Sequence, residues 1–255
     1  MCTVVTLHRP GHAWPMLLAT NRDEMRHRPW QAPARHWPDR PGVVAGRDKE
    51  AGGTWLGLND HGVVAAVLNR VGSLGPAAGK TTRGVLPLLA LDQTTAADAA
   101  AALSAMDGRP FRPFNMVLAD RNGAWWVRWA GPETGETPQA STIPEGLHMV
   151  TAFDLDAPES PRVARHLPLF RAAPPPDPDR DAWESWIARL ADPSRDKTNV
   201  ESGALLIDGP GGFGTVSSSL IALAARPQNT IWKFAAGAPD KTEFRAVSVD
   251  TTVCV

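Results

Sequence analysis

A cysteine stands directly behind the initiator methionine in Met1-Cys2-Thr3-Val4-Val5, and a side chain as small as that of Cys2 permits the methionine to be trimmed. Trimming would give Cys2 a free α-amine beside its thiol. An unperturbed thiol has a pKa of about 8.5 and an α-amine one of about 7.7–8.0, so near neutrality the amine can take the thiol's proton. One residue then supplies both nucleophile and base. A nearby guanidinium lowers a thiol pKa, and a carboxylate holds an ammonium through a charge-assisted hydrogen bond. Asn21-Arg22-Asp23-Glu24 contains both groups, Arg22 to tune the thiol and Asp23 to orient the amine. Neighbouring side chains on a strand point to opposite faces, so Asn21 and Asp23 can share a face. Arg22 and Asp23 can both meet Cys2 only if the chain turns or bulges. Without that geometry Cys2 is a small buried residue and Asn21 to Glu24 a solvated strand end, and these residues alone leave both readings open.

The elements that must position them are two strands, residues 3–7 and 16–20, joined through His8-Arg9-Pro10-Gly11-His12 as the first hairpin. His8 and His12 are separated by Pro and Gly, a turn rather than a helical face, so no metal site is assigned. Residues 26–48 are rich in Pro, Arg, His and Trp without any period and read as a long loop, a lid or pocket wall. Residues 55–59 and 63–69 form a second hairpin about Asp60-His61-Gly62, which delivers Asn69 to the loop of residues 70–82.

Inside that loop, Gly75-Pro76-Ala77-Ala78-Gly79-Lys80-Thr81 imitates a phosphate-binding loop but has three residues between its glycines where the motif needs four. It is not assigned to a nucleotide, although Lys80 and Arg83 remain able to line a pocket for an anion. Residues 84–92 and an Ala-rich stretch capped by Thr94/Thr95 with Asp98 read as helices. Residues 114–119 and 124–130 flank an Asn122-Gly123 hairpin turn, and 147–153 is a further strand. Helices are expected at 160–172 and 180–191, then strands at 204–208, 215–224, 230–235 and 243–249. Gly209-Pro210-Gly211-Gly212-Phe213-Gly214 fits a dinucleotide-binding pattern, but a strand-like stretch follows it, so it reads as a tight turn.

Met1-Cys2-Thr3, Asn21-Arg22-Asp23-Glu24, Gly52-Gly53-Thr54-Trp55-Leu56-Gly57-Leu58-Asn59 and Leu68-Asn69 together resemble the NRDE family, the transport-and-Golgi-organisation-2-like proteins. They are also similar to the N-terminal-nucleophile (Ntn) hydrolases of the bile-salt-hydrolase and penicillin-V-acylase group. The resemblance implies a four-layer αββα sandwich of mostly antiparallel sheets, an α+β fold. It implies that Asn69 helps form an oxyanion hole, and that Asn115, in a Phe-Asn-Met context, belongs to the site. Glu24, Trp55, Asn115 and Ser217 are the expected ligand-binding residues, beside the catalytic set Cys2, Asn21, Arg22, Asp23 and Asn69. Two departures stand out. Thr151-Ala152 replaces a Ser-Asn whose Asn donates to the oxyanion in the acylases, a loss typically worth ~10²–10³ in rate. Phe213-Gly214-Thr215-Val216-Ser217-Ser218-Ser219 has Val216 where the family shows Arg.

The 255 residues, 43% hydrophobic and 21% charged, suit one soluble domain with a sizeable core. A net charge of −1 without a basic stripe argues against a nucleic-acid partner. No apolar run reaches membrane-spanning length and the start lacks a signal peptide's pattern, so a cytoplasmic location is expected. Cys2 and Cys254 are too few for a disulfide framework or a cysteine metal site. Two functions are expected. One is an N-terminal-cysteine amidase that acts on a non-peptide C–N bond of a small molecule and needs no cofactor. The other, implied by haem trafficking and lipid homeostasis in the family, is a non-catalytic carrier of a hydrophobic anion such as haem or an acyl-CoA-like lipid. Ala152 and Val216 favour the carrier. Cys2, Asp23 and Asn69 place the amidase slightly ahead.

Overall fold

The computed structural model describes residues 2–194, 203–226 and 229–249, so Cys254 lies outside the described residues. The first hairpin forms as expected: β1 (Thr3–His8) pairs antiparallel with β2 (Met16–Met25), Thr3 opposite Asn21. On its other side β1 pairs with β10 (Gly146–Val150), Val4 opposite Val150. The far edge of β2 pairs with β11 (Phe213–Leu223), followed by β12 (Ile231–Ala235) and the short β13 (Arg245–Ala246). The second sheet is a meander in chain order: β3 (Trp30–Ala34), β4 (Val43–Asp48), β5 (Leu56–Asn59), β6 (Val64–Asn69), β7 (Phe114–Asp120), β8 (Gly123–Trp129) and β9 (Gln139–Ile143).

Period-two alternation then dictates four layers. On β2, Met16 and Leu18 point into the core between the sheets, with Val4, Val64, Ala66, Val117 and Ile221. Leu17 and Ala19 point outward to a core with Phe170, Trp183 and Trp186, under α3 (Pro161–Ala172) and α4 (Glu184–Leu190). The outward face of the second sheet, with Ala65, Met116 and Leu118, packs under α1 (Val85–Leu91) and α2 (Ala96–Ser104). The αββα sandwich is therefore present, and its three apolar seams follow from strands that are hydrophobic on both faces.

Four expectations need correction. The stretch 26–48 holds β3 and β4; its prolines concealed them, and Pro33 is tolerated because β3 is an edge strand with an irregular register between Gln31 and Ala34. Residues 204–208 form no strand beyond an isolated bridge from Asp208 to Gly214. The stretch 180–191 divides into a 3-10 turn at Pro178–Arg180 and the seven-residue α4. The hairpin after β7 turns on Arg121 and Asn122, and neither they nor Gly123 adopts positive φ. Asp120 closes that turn instead, its Oδ1 accepting from the amides of Asn122 and Gly123.

Candidate functional site

The alternation that built the core continues to the end of β2 and decides which member of the tetrapeptide faces which way. Asn21 points outward: its Nδ2 donates to the carbonyls of Leu190 and Leu205, each at 3.0 Å, and its Oδ1 accepts from Ser218 Oγ at 2.6 Å. It ties β2 to the helical layer and to β11. Asp23, on the same face, accepts at Oδ1 from Thr215 Oγ1 (2.7 Å) and at Oδ2 from Arg162 Nη1 (3.0 Å). Arg162 reaches down from the first turn of α3, where it also donates to Thr3 Oγ1 at 2.8 Å. The shared face of Asn21 and Asp23 is thus as the alternation requires.

Arg22 points the other way, toward the second sheet. Its guanidinium lies 3.9 Å from the centre of the Trp55 ring. Trp55 is held in turn edge-on to Trp30, 5.8 Å between centroids, and lies so close over Gly46 that an added Cβ there would come within 2.3 Å of the indole. Arg22 is 5% exposed, and its buried Nη1 has no hydrogen-bond acceptor. A guanidinium held on an aromatic face with a donor unspent is poised for an incoming acceptor.

Carrying the β1–β2 register one rung past Thr3↔Asn21 sets Cys2 opposite Arg22, so thiol and guanidinium share a face. No turn is needed to involve Asp23, because it meets the thiol through its main chain: Cys2 Sγ lies 3.8 Å from the Asp23 carbonyl oxygen. The sequence led us to expect a thiol lowered by Arg22. Instead, burial and the negative charge of Asp23 push the Cys2 thiol up, outweighing the pull of Arg22. At rest Cys2 is therefore a thiol, and a nucleophilic role for it would need a base.

Cys2, Arg22, Glu24, Trp55 and Asn69 all line one cavity of about 550 Å³. Asn69, the last residue of β6, enters it from the second sheet as expected. Glu24 accepts from the Met25 amide at 2.8 Å and, with Asp48 and Glu50, surrounds the guanidinium of Arg28. The loop after β6, including Lys80 and Arg83, forms the opposite wall. Gly53 and Gly84 seat this wall against β5, where a Cβ on Gly53 would fall 2.3 Å from the Gly84 carbonyl carbon.

Two expected ligand contacts stand apart from the cavity. Asn115 is fully buried and saturated: its Oδ1 accepts from Arg70 (2.7 Å) and Trp126 (3.2 Å), and its Nδ2 donates to the carbonyls of Thr151 (2.9 Å) and Phe153 (2.7 Å). It ties the end of β10 to the second sheet. Ser217 sits opposite Arg22 on β11, beside the bulge between Thr215 and Ser217 that leaves Val216 as the extra residue. Sequence reading missed Arg162, Thr215 and Arg28 as partners of the site carboxylates. Arg162 did leave a signal, since it falls in phase with Val163, His166, Leu167 and Phe170 on the buried stripe of α3.

Residues 1–231 match the family model for Transport and Golgi organisation 2. The chain belongs to this family. Curated relatives include the Transport and Golgi organization protein 2 homologs of Bos taurus, 36% identical over 114 residues, and Homo sapiens, 34% identical over 118. The bovine match covers 43% of this chain and 40% of the relative, and the human match 44% and 41%, so the chain matches about two fifths of these relatives' length. Among solved structures, the Caenorhabditis elegans ortholog of N-acylethanolamine-hydrolyzing acid amidase aligns with a TM-score of 0.55 at 11% identity, over 86% of this chain and 92% of its own. A mutant conjugated bile acid hydrolase from Clostridium perfringens aligns at 0.53 and 12%, covering 99% and 98%. The fold of this family member is that of the Ntn hydrolases.

The first departure from the family pattern lies just past β10, which ends at Val150 before the chain bends at Ala152. The Ala152 carbonyl accepts from the Val71 amide at 3.1 Å, fixing this segment beside the loop that follows Asn69.

Proposed function

We propose that the chain is an N-terminal-cysteine amidase acting on a small-molecule C–N bond. The observation that carries this reading is the placement of the Cys2 thiol on the wall of a cavity beside Arg22, 3.8 Å from the Asp23 carbonyl oxygen. After removal of Met1, the free amine takes the thiol proton as Sγ attacks the substrate carbonyl. Asp23, itself held by Arg162 and Thr215, orients the ammonium that forms. Asn69 donates to the oxyanion from across the cavity, and Arg22 adds positive charge. The ammonium then gives its proton to the leaving amine as the C–N bond breaks. Water, deprotonated by the same amine, releases the acyl group from the thioester. The buried thiol makes the base indispensable, because too little thiolate exists at neutral pH without one. The fold neighbours, an acid amidase and a conjugated bile acid hydrolase, agree with this chemistry.

Intact-mass measurement before and after brief iodoacetamide treatment at neutral pH is the direct test. A mass lacking Met1, with one adduct forming at Cys2 faster than at Cys254, supports the reading; retained Met1 or no difference in rate removes the base from the mechanism. Cys2→Ala should abolish hydrolysis of any amide found by screening.

One observation favours a second reading, a carrier without catalysis: Ala152 and Val216 stand where the resembling proteins carry polar side chains, and neither supplies one. A hydrophobic anion such as haem or an acyl-CoA-like lipid would then be cargo. No histidine lines the cavity, so Cys2 would be the soft ligand offered to a haem iron. A haem titration that shifts the Soret band in the wild type but not in Cys2→Ala would favour this reading. A cytoplasmic setting, which keeps thiols reduced, suits both.

A further inference from the structure

The cavity wall facing Arg28 is built on positive charge that no carboxylate answers. Arg112 donates from Nη1 to the Leu74 carbonyl (2.7 Å) and from Nη2 to that of Gly72 (2.8 Å). Arg83 donates from Nη1 to the carbonyls of Ser73 (2.8 Å) and Pro113 (3.0 Å). The loop curls around these two guanidiniums, and Lys80 closes its far end with a bond from Nζ to the Arg109 carbonyl at 2.7 Å. Among the described residues none of the three forms an ion pair, whereas the acids of the cavity are engaged: Asp23 with Arg162, and Glu24, Asp48 and Glu50 around Arg28.

Carbonyl oxygens satisfy hydrogen-bond donors but do not cancel charge. The Arg83 guanidinium is accordingly pulled down to about 10, first by burial and then by repulsion from Arg112. Each Nε–H of this arginine pair lacks an acceptor among the described residues, and Lys80 has ammonium hydrogens to spare. A fourth cation, Arg22, lines the same cavity, and its buried Nη1 has no hydrogen-bond acceptor among the described residues. Carbonyl-held guanidiniums cannot swing away, so the charge is fixed in place before any ligand arrives. Trp55, Val67 and Leu74 give the same cavity an apolar part of its lining.

We propose that Lys80, Arg83 and Arg112 form an oxyanion-binding subsite, and that the molecule acted on at Cys2 carries a carboxylate, sulfonate or phosphate on one arm and an apolar group on the other. Fixed guanidiniums match the paired oxygens of all three groups, and they act at low dielectric, where such contacts are strongest. The amide in this description rests on the amidase reading above; the anion subsite does not.

The test separates the two. Calorimetry on the Cys2→Ala protein would compare N-dodecanoylglycine, N-dodecanoyl-phosphoethanolamine and the neutral N-dodecanoylethanolamine. The expected result is that at least one anionic amide binds about tenfold or more tighter than the neutral one, the range of a charge-assisted hydrogen bond. That preference should weaken with added salt and collapse in both Arg83→Gln and Lys80→Glu. Lys80 is exposed on the loop, so its variant keeps the test open should Arg83→Gln disturb the loop's folding. Preference for the glycine or the phosphate form identifies the kind of anion, and either supports the subsite. Equal binding of all three, no binding of any, or a preference surviving both substitutions would overturn it. Turnover by the wild type is scored separately. Anion-selective binding without turnover retains the subsite and removes the amidase, and turnover blind to charge does the reverse.

Discussion

At the scale of single residues, Asp23 does two jobs that can be pulled apart. Its side chain is buried against Arg162, and removing one partner of such a pair leaves the other charge uncompensated, at a cost of about 3–5 kcal/mol. Asp23→Asn should therefore lose turnover and also lower the urea midpoint. Asp23→Leu combined with Arg162→Met should recover most of the stability and none of the turnover. A double variant as unstable as the sum of its parts would mean that the pair is not the source of the loss. Ala152 makes the complementary case, where something can be added. Ala152→Asn restores the amide side chain that the resembling acylases carry at this position and is expected to raise kcat toward the ~10²–10³ that one oxyanion donor typically supplies. An unchanged kcat on a folded variant would show that the donor is provided elsewhere.

These residues also show what could be read in advance. Cys2, Arg22, Asp23 and Asn69 were legible because strand parity and hairpin length fix a side chain's face and end from numbering alone. Asn115 was not, because whether a buried amide meets ligand or main chain depends on which distant carbonyls arrive beside it, here those of Thr151 and Phe153.

At the scale of elements, α3 is the helix on which the site leans, and it carries a second buried polar residue one turn beyond Arg162. His166 is fully buried, its Nε2 donating to the Gly203 carbonyl at 2.7 Å. Burial pulls its pKa below the ordinary histidine value, although the bond to Gly203 opposes this. The unfolded chain therefore binds a proton near pH 6.5 that the folded chain refuses. Its contribution to stability is complete above that pH and lost as pH falls through the folded value. His166→Gln, which keeps a donor for Gly203, should flatten the fall in denaturation midpoint below about pH 6.5; an unchanged slope would assign the acid sensitivity to other groups. Helices and interior hairpins followed from capping residues and apolar alternation, as Thr95 with Asp98 and the strands flanking Gly62 illustrate. The edge strand β3 did not, since an edge need satisfy only one neighbour and tolerates Pro33 and polar residues that would disqualify an interior strand.

At the scale of the whole molecule, the two sheets differ in how far apart in the chain their partners lie. Every neighbour in the second sheet is the next strand in sequence, from β3 to β9. The first sheet instead joins residues 3–25 to residues 146–150 and 213–223. Loop-closure entropy makes the local meander the faster to form and the long-range sheet the slower. Cys2 belongs to the slow half. Cys2, Arg22 and Asp23 are carried by strands that wait for β10 and β11, so the meander can be ordered while the residues around the thiol are still unpaired. The interval in which Cys2 has no carboxylate, no guanidinium and no cavity around it is also when an aminopeptidase has its freest access to the methionine before it. If the proposed trimming of Met1 takes place, it and closure of the first sheet are competing processes, and the slow topology of that sheet would give the trimming its time.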